Sequence, residues 1–486
     1  MKCLRLYPAL LLLLLVGCMV GPKYQKPPVP VTPAYKEPPP DSFKESGEWN
    51  ASHPNAAALR GNWWEIFGDS QLNALEEQVS VANQDLKIAE ARFRQARTMV
   101  RYNRAAEFPT IGVAPNIQSL RYSPNEPYFP ANVATSARGA FTLPFDLSYE
   151  VDLWGRIRRS VTAASEEAQA TAADLETASL SLHAELAVDY FELRSADAQQ
   201  RLLNATVDQY ADMVKLTTDL LNGGAVPESD LVQAKTQLDT ARVQGTDIGV
   251  MRAQYEHAIA ILIGKPPAEF ALVPSSLGLE PPVIPVGVPS QLLERRPDIA
   301  AGERRVGEAN EGIGIARAAY YPSLVLSATG GVEGDTIGNW IAWPSRFWAV
   351  GPTMLEMLFD GGRRRATSEG ALANYDATVA NYRETTLVAF QEVEDNLAAL
   401  RILEHEALQQ REAVAEAERG VEIFTNRYRL GVDPYLQVVS AETIALQNER
   451  NEVDILRRRM DASVLLIKAL GGGWDVSKLP QTRSMR

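Results

Sequence analysis

Two patterns of apolar residues alternate along this chain, and the first of them predicts two long helices. From about Ser160 to Leu221 and from about Ala366 to Leu430 there is no proline and almost no glycine. Between Val379 and Tyr428, twelve of the fifteen heptad core positions are apolar. Sustained spacing of 3.5 residues is typical of helices that supercoil against neighbouring helices. At 1.5 Å per residue each helix would be roughly 100 Å long, longer than a compact helical bundle needs.

The second pattern has a period of two and predicts strands. From Phe141 to Leu153 every odd-numbered residue is apolar, and most of the residues between them are polar. Thirteen residues of strand would measure roughly 43 Å, and a tilt of about 45° would let them cross a hydrocarbon core. Segments 110–120, 323–332 and 346–358 are weaker partners, which gives four strands in two hairpins. The alternative, the edge of a soluble sandwich, would need a second covering layer.

The chain repeats itself, and the repeat defines its organisation. Segment 84–109 matches 297–322 at an offset of 213, and segment 155–264 matches 362–471 at an offset of 207. The change of offset falls where a hairpin loop could differ in length. We therefore predict a first repeat over 61–265, with a strand hairpin at about 108–153 and a tip, the turn between two helices, at about 222–227. A linker follows over 266–291. The second repeat covers 292–472, with a strand hairpin at about 320–358 and a tip at about 430–434, and a tail covers 473–486.

The N-terminal residues indicate export and a lipid anchor. Two charged residues precede a short apolar run, Leu10–Val16, which is too short to span a bilayer and is typical of a secretory signal over 1–17. Gly17 before Cys18 resembles the lipobox of bacterial lipoproteins, so Cys18 is the expected site of lipidation; the alternative is an ordinary signal with an incidental cysteine. Within the predicted lipidated segment 18–60, residues 22–40 hold eight prolines and predict an extended tether.

Composition removes several classes of function. The 486 residues carry a formal charge of −13, whereas nucleic-acid binders present a positive surface. The two cysteines and four scattered histidines have no metal-site spacing. We find no phosphate loop or nucleophile elbow, and Gly312 and Gly314 form an isolated GxG within a helical pattern. The sequence therefore predicts neither an enzyme nor a bound metal or cofactor, and no nucleic acid as partner.

Four motifs carry a resemblance to a known family. Together they resemble the TolC-like outer-membrane efflux proteins, and most closely the NodT-type lipoprotein branch, over about residues 20 to 475. The motifs are the WWEIFGD sequence at 63–69, LLERRPDI at 292–299, FDGGRR at 359–364 and YRLGVD at 428–433.

The resemblance implies an α+β membrane protein that assembles as a homotrimer. Three chains would each give four strands to one 12-stranded transmembrane β-barrel in outer-membrane lipid, and their helices would continue it as a coiled-coil periplasmic tunnel. The implied partners are a periplasmic adaptor protein and an inner-membrane efflux pump of the RND type, with passive conduction of the pump's substrates. The alternative is a lipid-anchored coiled-coil scaffold that conducts nothing.

In the family, the tips of the helical hairpins close the tunnel and dock the adaptor. The matching residues are Gly223, Gly224, Ala225, Leu430, Gly431 and Val432, and glycines there also suit a tight turn. The residues expected to form the gate or constriction are Glu228, Asp230, Tyr428, Asp433, Gln437 and Ser440. Asp230 matches an acidic position of the family, whereas Gln437 and Ser440 replace an acidic pair. Glu228 and Asp230 are equally explained as favourable charges at a helix N-terminus.

Overall fold

The structure is a computed structural model that describes residues 19–43, 61–125, 136–275, 277–278 and 280–480. The predicted signal peptide and Cys18 lie outside these residues. The helices are α1 (Ser70–Ala82), α2 (Gln84–Ala105), α3 (Arg156–Asn222), α4 (Glu228–Leu262), α5 (Leu292–Arg295), α6 (Pro297–Ala318), α7 (Arg363–Arg429) and α8 (Tyr435–Ala469). The strands are β1 (Thr110–Val113), β2 (Asn116–Leu120), β3 (Arg138–Val151), β4 (Ser323–Gly334) and β5 (Arg346–Leu355).

The internal repeat is present in three dimensions. Helices α3 and α7 each have 67 residues, α4 and α8 each have 35, and α2 and α6 each have 22. Each pair begins at the offset that the sequence comparison gives, 213 residues for α2 and α6 and 207 for the other two pairs. Each half therefore consists of a long helix, with a short helix packed near each of its ends.

The heptad pattern identifies the buried side of α7. Ten residues of this helix are buried, and nine of them occupy predicted heptad core positions; Leu397 is the exception. Several pack against α6 or α8, as Tyr382 does with Val306 of α6 and Tyr428 does with Val438 of α8. The long helices are thus held by lateral helix packing, as the spacing predicts.

The shorter helical segment that precedes the hairpin in each half is interrupted. Asn83 separates α1 from α2, and its side chain accepts from the N–H of Leu86 at 3.0 Å while its amide donates to the carbonyl of Leu262 at 2.8 Å. In the second half the break precedes Pro297, which begins α6. Proline at the first helical position needs no hydrogen-bond partner for its nitrogen.

One antiparallel sheet contains all five strands of the described residues. The order is β1–β3–β4–β5, and β2 pairs with β3 beside β1. Because β1 and β2 lie along the same neighbour, they are two segments of one strand interrupted at residues 114–115. The prediction of four strands therefore holds for positions in the sheet, although the first position holds two segments.

The pairing register collects apolar residues on one face of this sheet. Residues directly opposite each other on antiparallel strands point to the same side. The apolar positions of β3 face Ile111, Val113 and Ile117 on one side, and on β4 they face Leu324, Leu326, Ala328, Gly330, Val332 and Gly334. The opposite face pairs polar residues such as Ser148 with Ser327. No strand residue is buried, so the described residues of one chain cover neither face.

Residues 19–43, which we call the N-terminal strap, lie against the helices, and this corrects the expectation of a free tether. The strap begins beside the end of β3, where the N–H of Val20 donates to the carbonyl of Trp154 at 3.1 Å. It ends at Phe43, which is buried in the main core. The predicted extended conformation is retained, but the strap runs along the body instead of holding the body at a distance.

Two carboxylates of α7 hold the strap in register. Glu394 accepts from the backbone N–H groups of residues 36–37 at 2.7 and 2.9 Å, and Glu404 accepts from those of residues 41–42 at 3.0 and 3.2 Å. Ten residues of helix span about 15 Å, and five residues of polyproline II span nearly the same length. The proline-rich composition thus matches the spacing of the two carboxylates.

The main apolar core lies where the short helices, the long helices and the linker meet. Trp63 and Trp64 of the WWEIFGD motif are buried there, together with Leu272 and Ile284 of the linker. Within the part of the chain that is described, no helix is both long enough and apolar enough to cross a membrane.

Candidate functional site

The two predicted tips have the same backbone geometry. After α3, the N–H of Ala225 donates to the carbonyl of Leu220 at 2.9 Å, and Gly224 has φ +72. After α7, the N–H of Val432 donates to the carbonyl of Arg427 at 2.9 Å, and Gly431 has φ +70. These are Schellman caps, in which a residue with positive φ ends the helix. The other tip residues, Gly223 and Leu430, are exposed.

One polar contact joins the two hairpins near their tips. The hydroxyl of Tyr428 donates to a carboxylate oxygen of Asp230 at 3.5 Å. Tyr428 is only 3% exposed and packs against Tyr435, with ring centroids 5.2 Å apart. Burial raises the pKa of the Tyr428 hydroxyl, so it stays protonated and able to donate. Asp230 also lies in the first turn of α4. Its position is therefore compatible both with a role in the gate and with a favourable charge at a helix N-terminus.

The remaining gate candidates do not reach the opposite hairpin. Asp433 accepts two hydrogen bonds from Arg427 of its own turn, at 2.5 and 3.0 Å, and these lower the pKa of its carboxyl. Gln437 and Ser440 are exposed on α8, and the hydroxyl of Ser440 donates to the carbonyl of Leu436 at 2.9 Å. Glu228 is exposed in the first turn of α4. The structure thus joins Tyr428 to Asp230 and leaves the other four apart.

A buried histidine–carboxylate pair lies in the main core, and the sequence reasoning missed it. The Nδ1 of His183 is 2.7 Å from a carboxylate oxygen of Glu76, its Nε2 is 3.3 Å from the hydroxyl of Ser80, and Trp64 stacks on the ring at 4.4 Å. A signal existed, because Glu76 shares the buried face of α1 with Leu72, Leu75 and Val79.

This arrangement resembles a hydrolytic triad only in its order of contacts. Ser80 lies within α1, where backbone N–H groups are bonded to carbonyls of the same helix. A nucleophilic serine needs free donors for the oxyanion that it creates. The backbone N–H groups beside Ser80 are engaged within the helix and are not free donors. We therefore interpret the cluster as a structural polar contact within the core.

The pair predicts a specific dependence of stability on pH. Burial raises the pKa of Glu76 to about 9 and lowers that of His183 to about 4. Between pH 6.5 and 9 the folded state keeps a proton on Glu76 that the unfolded state releases, so stability should fall as pH rises. We expect Glu76→Gln, which cannot ionise, to reduce this fall. The measurement is the midpoint of thermal unfolding of the purified protein from pH 6.5 to 9, with exposed Glu77→Gln as the control; equal slopes in both variants would contradict the assignment.

A second buried ion pair fixes the beginning of the strap at the junction of sheet and helices. Arg159 of α3, which is 3% exposed, donates to Glu311 of α6 at 2.7 Å and to the carbonyl of Pro22 at 3.2 Å. Its guanidinium passes over Gly314, where a side chain would collide with it. This explains the isolated GxG of the sequence: its second glycine makes room for an arginine.

These features coincide with those of one known family. Residues 75–265 and 288–472 match the family described as outer membrane efflux protein, one segment for each repeat. The chain belongs to this family. The resemblance that the motifs predict is confirmed.

Relatives and solved structures agree. The probable efflux pump outer membrane protein SepC of Pseudomonas putida is 31% identical over 478 residues, 96% of this chain and 97% of that protein. The outer membrane protein OprJ of Pseudomonas aeruginosa is 30% identical over 472 residues, 96% of this chain and 95% of that protein. The structure of the outer-membrane channel OprN superimposes with a TM-score of 0.84 at 28% identity, covering 94% of this chain and all of that one.

These matches confirm the general function that the sequence predicts. The protein is the channel component of an efflux system in the outer membrane of a Gram-negative bacterium, with its helices in the periplasm. The scaffold alternative, which conducts nothing, is not supported.

Proposed function

We propose that three copies of this chain form one twelve-stranded barrel, which continues into a periplasmic tunnel and conducts substrates passively. The observation that carries the proposal is the open sheet. Its edges, β1–β2 on one side and β5 on the other, have no partner among the described strands, and its two faces are uncovered. Four strand positions are too few to close alone, because the smallest barrels need about eight. Further copies of the chain, arranged around an axis, would pair with the two free edges of each sheet.

The division of the sheet into two faces supports the orientation. An apolar face suits lipid and a polar face suits a water-filled lumen. The exposed aromatic side chains Trp343 and Trp348, 78% and 80% exposed, lie on or beside β5, where aromatic residues of barrels meet the membrane interface. Solute would therefore pass along the face that carries Asp146 and Ser148. The chain itself performs no chemistry in this proposal.

Lipidation at Cys18 is part of the proposal. The adjacent residue, Met19, lies against Gly155 where β3 leads into α3, so a lipid on Cys18 would sit at the periplasmic edge of the barrel. If strands embed the protein, Cys18→Ala should remain in the membrane after washing at high salt and high pH. Recovery of a folded Cys18→Ala protein in the soluble fraction would contradict embedding and would restore the scaffold alternative.

The partners in this proposal are a periplasmic adaptor and an inner-membrane pump, which we expect to be of the RND type. SepC and its relatives are named as outer membrane proteins of efflux pumps, and a passive duct needs such a source of energy. The tip residues Gly223–Ala225 and Leu430–Val432 are exposed at the end of the hairpins and are the proposed docking surface. The pump, not the duct, would select the substrate.

The contact between Tyr428 and Asp230 is the proposed latch of the closed tip. Tyr428→Phe removes the hydroxyl but keeps the ring in its apolar cluster. A hydrogen bond to a charged group contributes about 1.5–3 kcal/mol, so the open probability, and with it the mean current per channel in a planar bilayer, should rise about tenfold or more. Tyr435→Phe is the matched control, since Tyr435 forms no hydrogen bond with Asp230. Equal currents from the two variants would contradict the latch.

A further inference from the structure

A second polar feature lies above the tips and is not explained by the latch. Helices α3, α7 and α8 enclose a groove of about 390 Å³, which we call the acidic groove and define by Glu418, Glu422, Glu442 and Glu449. Arg429 is the one basic residue of its lining. The lining therefore carries four carboxyl groups against one guanidinium, an excess of negative charge that no residue of the lining neutralises.

The central carboxylate is buried without a partner. Glu442 is 8% exposed, and one of its carboxylate oxygens is inaccessible and accepts no hydrogen bond. Among the described residues, none of the four carboxylates forms an ion pair or a hydrogen bond. Elsewhere on α8, Asp454 and Asp461 are both paired with Arg457. Buried charges in proteins are normally paired, so Glu442 lacks the group that its position requires.

The pKa values of two groove carboxyls are raised, and no neighbouring positive charge lowers them. Burial raises the pKa of Glu442 to about 7, and burial together with Glu418 and Glu452 raises that of Glu449. The groups that face Glu442 are the hydroxyls of Tyr210 on α3 and Tyr435 on its own helix. Neither can neutralise a carboxylate. A bound positive charge would.

The shape of the groove selects the kind of cation. Glu442 and Glu449 are seven residues apart on α8, roughly 10 Å along the helix. The lining includes the apolar side chains of Ala445 and Leu446, which lie between these two residues on α8, and of Val421 on α7, beside polar ones such as Thr206 and Asn426. A ligand that fits has positive groups about 10 Å apart, joined by a hydrocarbon chain. We propose that the acidic groove binds a linear alkyl polyamine, with one ammonium group at Glu442 and another at Glu449 and Glu418.

The test is calorimetric titration of the full-length protein in detergent with spermidine. We expect saturable binding, and we expect Glu442→Gln and Glu449→Gln each to weaken it about tenfold or more, because charge-assisted hydrogen bonds are lost. Glu416→Gln is the matched control, since Glu416 is exposed on α7 and does not line the groove. Glu449 is only half-buried, so its variant carries the test if Glu442→Gln proves unstable.

Three results would overturn the proposal. The first is the absence of saturable binding to the folded protein, as expected if a neighbouring copy fills the groove. The second is an equal loss of affinity in Glu416→Gln, which would indicate a diffuse counterion effect. The third is displacement of spermidine by an equal concentration of Mg²⁺ or of ethylammonium. Because the titration measures binding alone, its outcome is independent of whether the protein conducts.

Discussion

Replacing Gly431 by valine is expected to abolish export while leaving the assembly intact. Gly431 has φ +70, a conformation that costs a β-branched residue more than about 1 kcal/mol. No atom lies near the position of an added side chain, so the effect acts through the backbone of the tip. The Schellman cap should open, and the exposed residues 430–432 should no longer present the proposed docking surface. We would measure the minimal inhibitory concentration of an exported compound together with the amount of trimer in the outer membrane.

The control for this experiment is Gly420→Val in the same helix. A side chain added at Gly420 also meets no atom, but Gly420 lies inside α7 with ordinary helical backbone. It should therefore retain export. Unchanged export by Gly431→Val would contradict the docking assignment, and loss of trimer in this variant would mean that the tip is needed for assembly instead.

Replacing Arg159 by leucine is expected to produce the largest loss of stability. The substitution leaves Glu311 buried without its partner and frees the carbonyl of Pro22. Removing one member of a buried pair typically costs 3–5 kcal/mol. The midpoint of thermal unfolding should fall by many degrees, and trypsin should cleave the strap at Lys23 and Lys26 more rapidly.

Its neighbour provides the control. Arg158 pairs with Asp152, but 41% of its side chain is exposed, so Arg158→Leu should cost less than about 1 kcal/mol. A compensating Glu311→Leu in the Arg159→Leu background should recover part of the stability, because it removes the unpaired charge. If Arg158→Leu and Arg159→Leu were equally destabilised, the buried pair would not be the anchor of the strap.

The fold was largely predictable because two signals are regular over long distances. The heptad spacing predicts nine of the ten buried residues of α7. The internal repeat predicts that α3, the equivalent helix of the first half, has the same length. The alternation from Phe141 places the apolar face of β3, and the register carries that face across the whole sheet. Periodic patterns depend on burial summed over many residues, so single exceptions do not obscure them.

Contacts between distant residues were not predictable in the same way. The pairs Arg159–Glu311 and Glu76–His183 join residues more than one hundred positions apart, and no period links them. The strap was misjudged for a related reason: proline content predicts an extended conformation but does not show which surface will accept it. Only the spacing of Glu394 and Glu404 on α7 reveals that surface.

The tips fall between these cases. Their glycines and the position of Asp230 were predictable from the resemblance, whereas the pairing of Asp433 with Arg427, six positions earlier, depends on the geometry of the turn. The sequence could therefore suggest a gate at this end of the molecule, but it could not show that Asp230 reaches the other hairpin and that Asp433 does not.

The most direct test of the central claim is planar-bilayer conductance of the purified protein, with its oligomeric mass in detergent determined on the same preparation. We predict a trimer that gives small, gated currents, and we predict that these currents grow in Tyr428→Phe. A folded monomer or dimer that gives no conductance would contradict the barrel and the tunnel together.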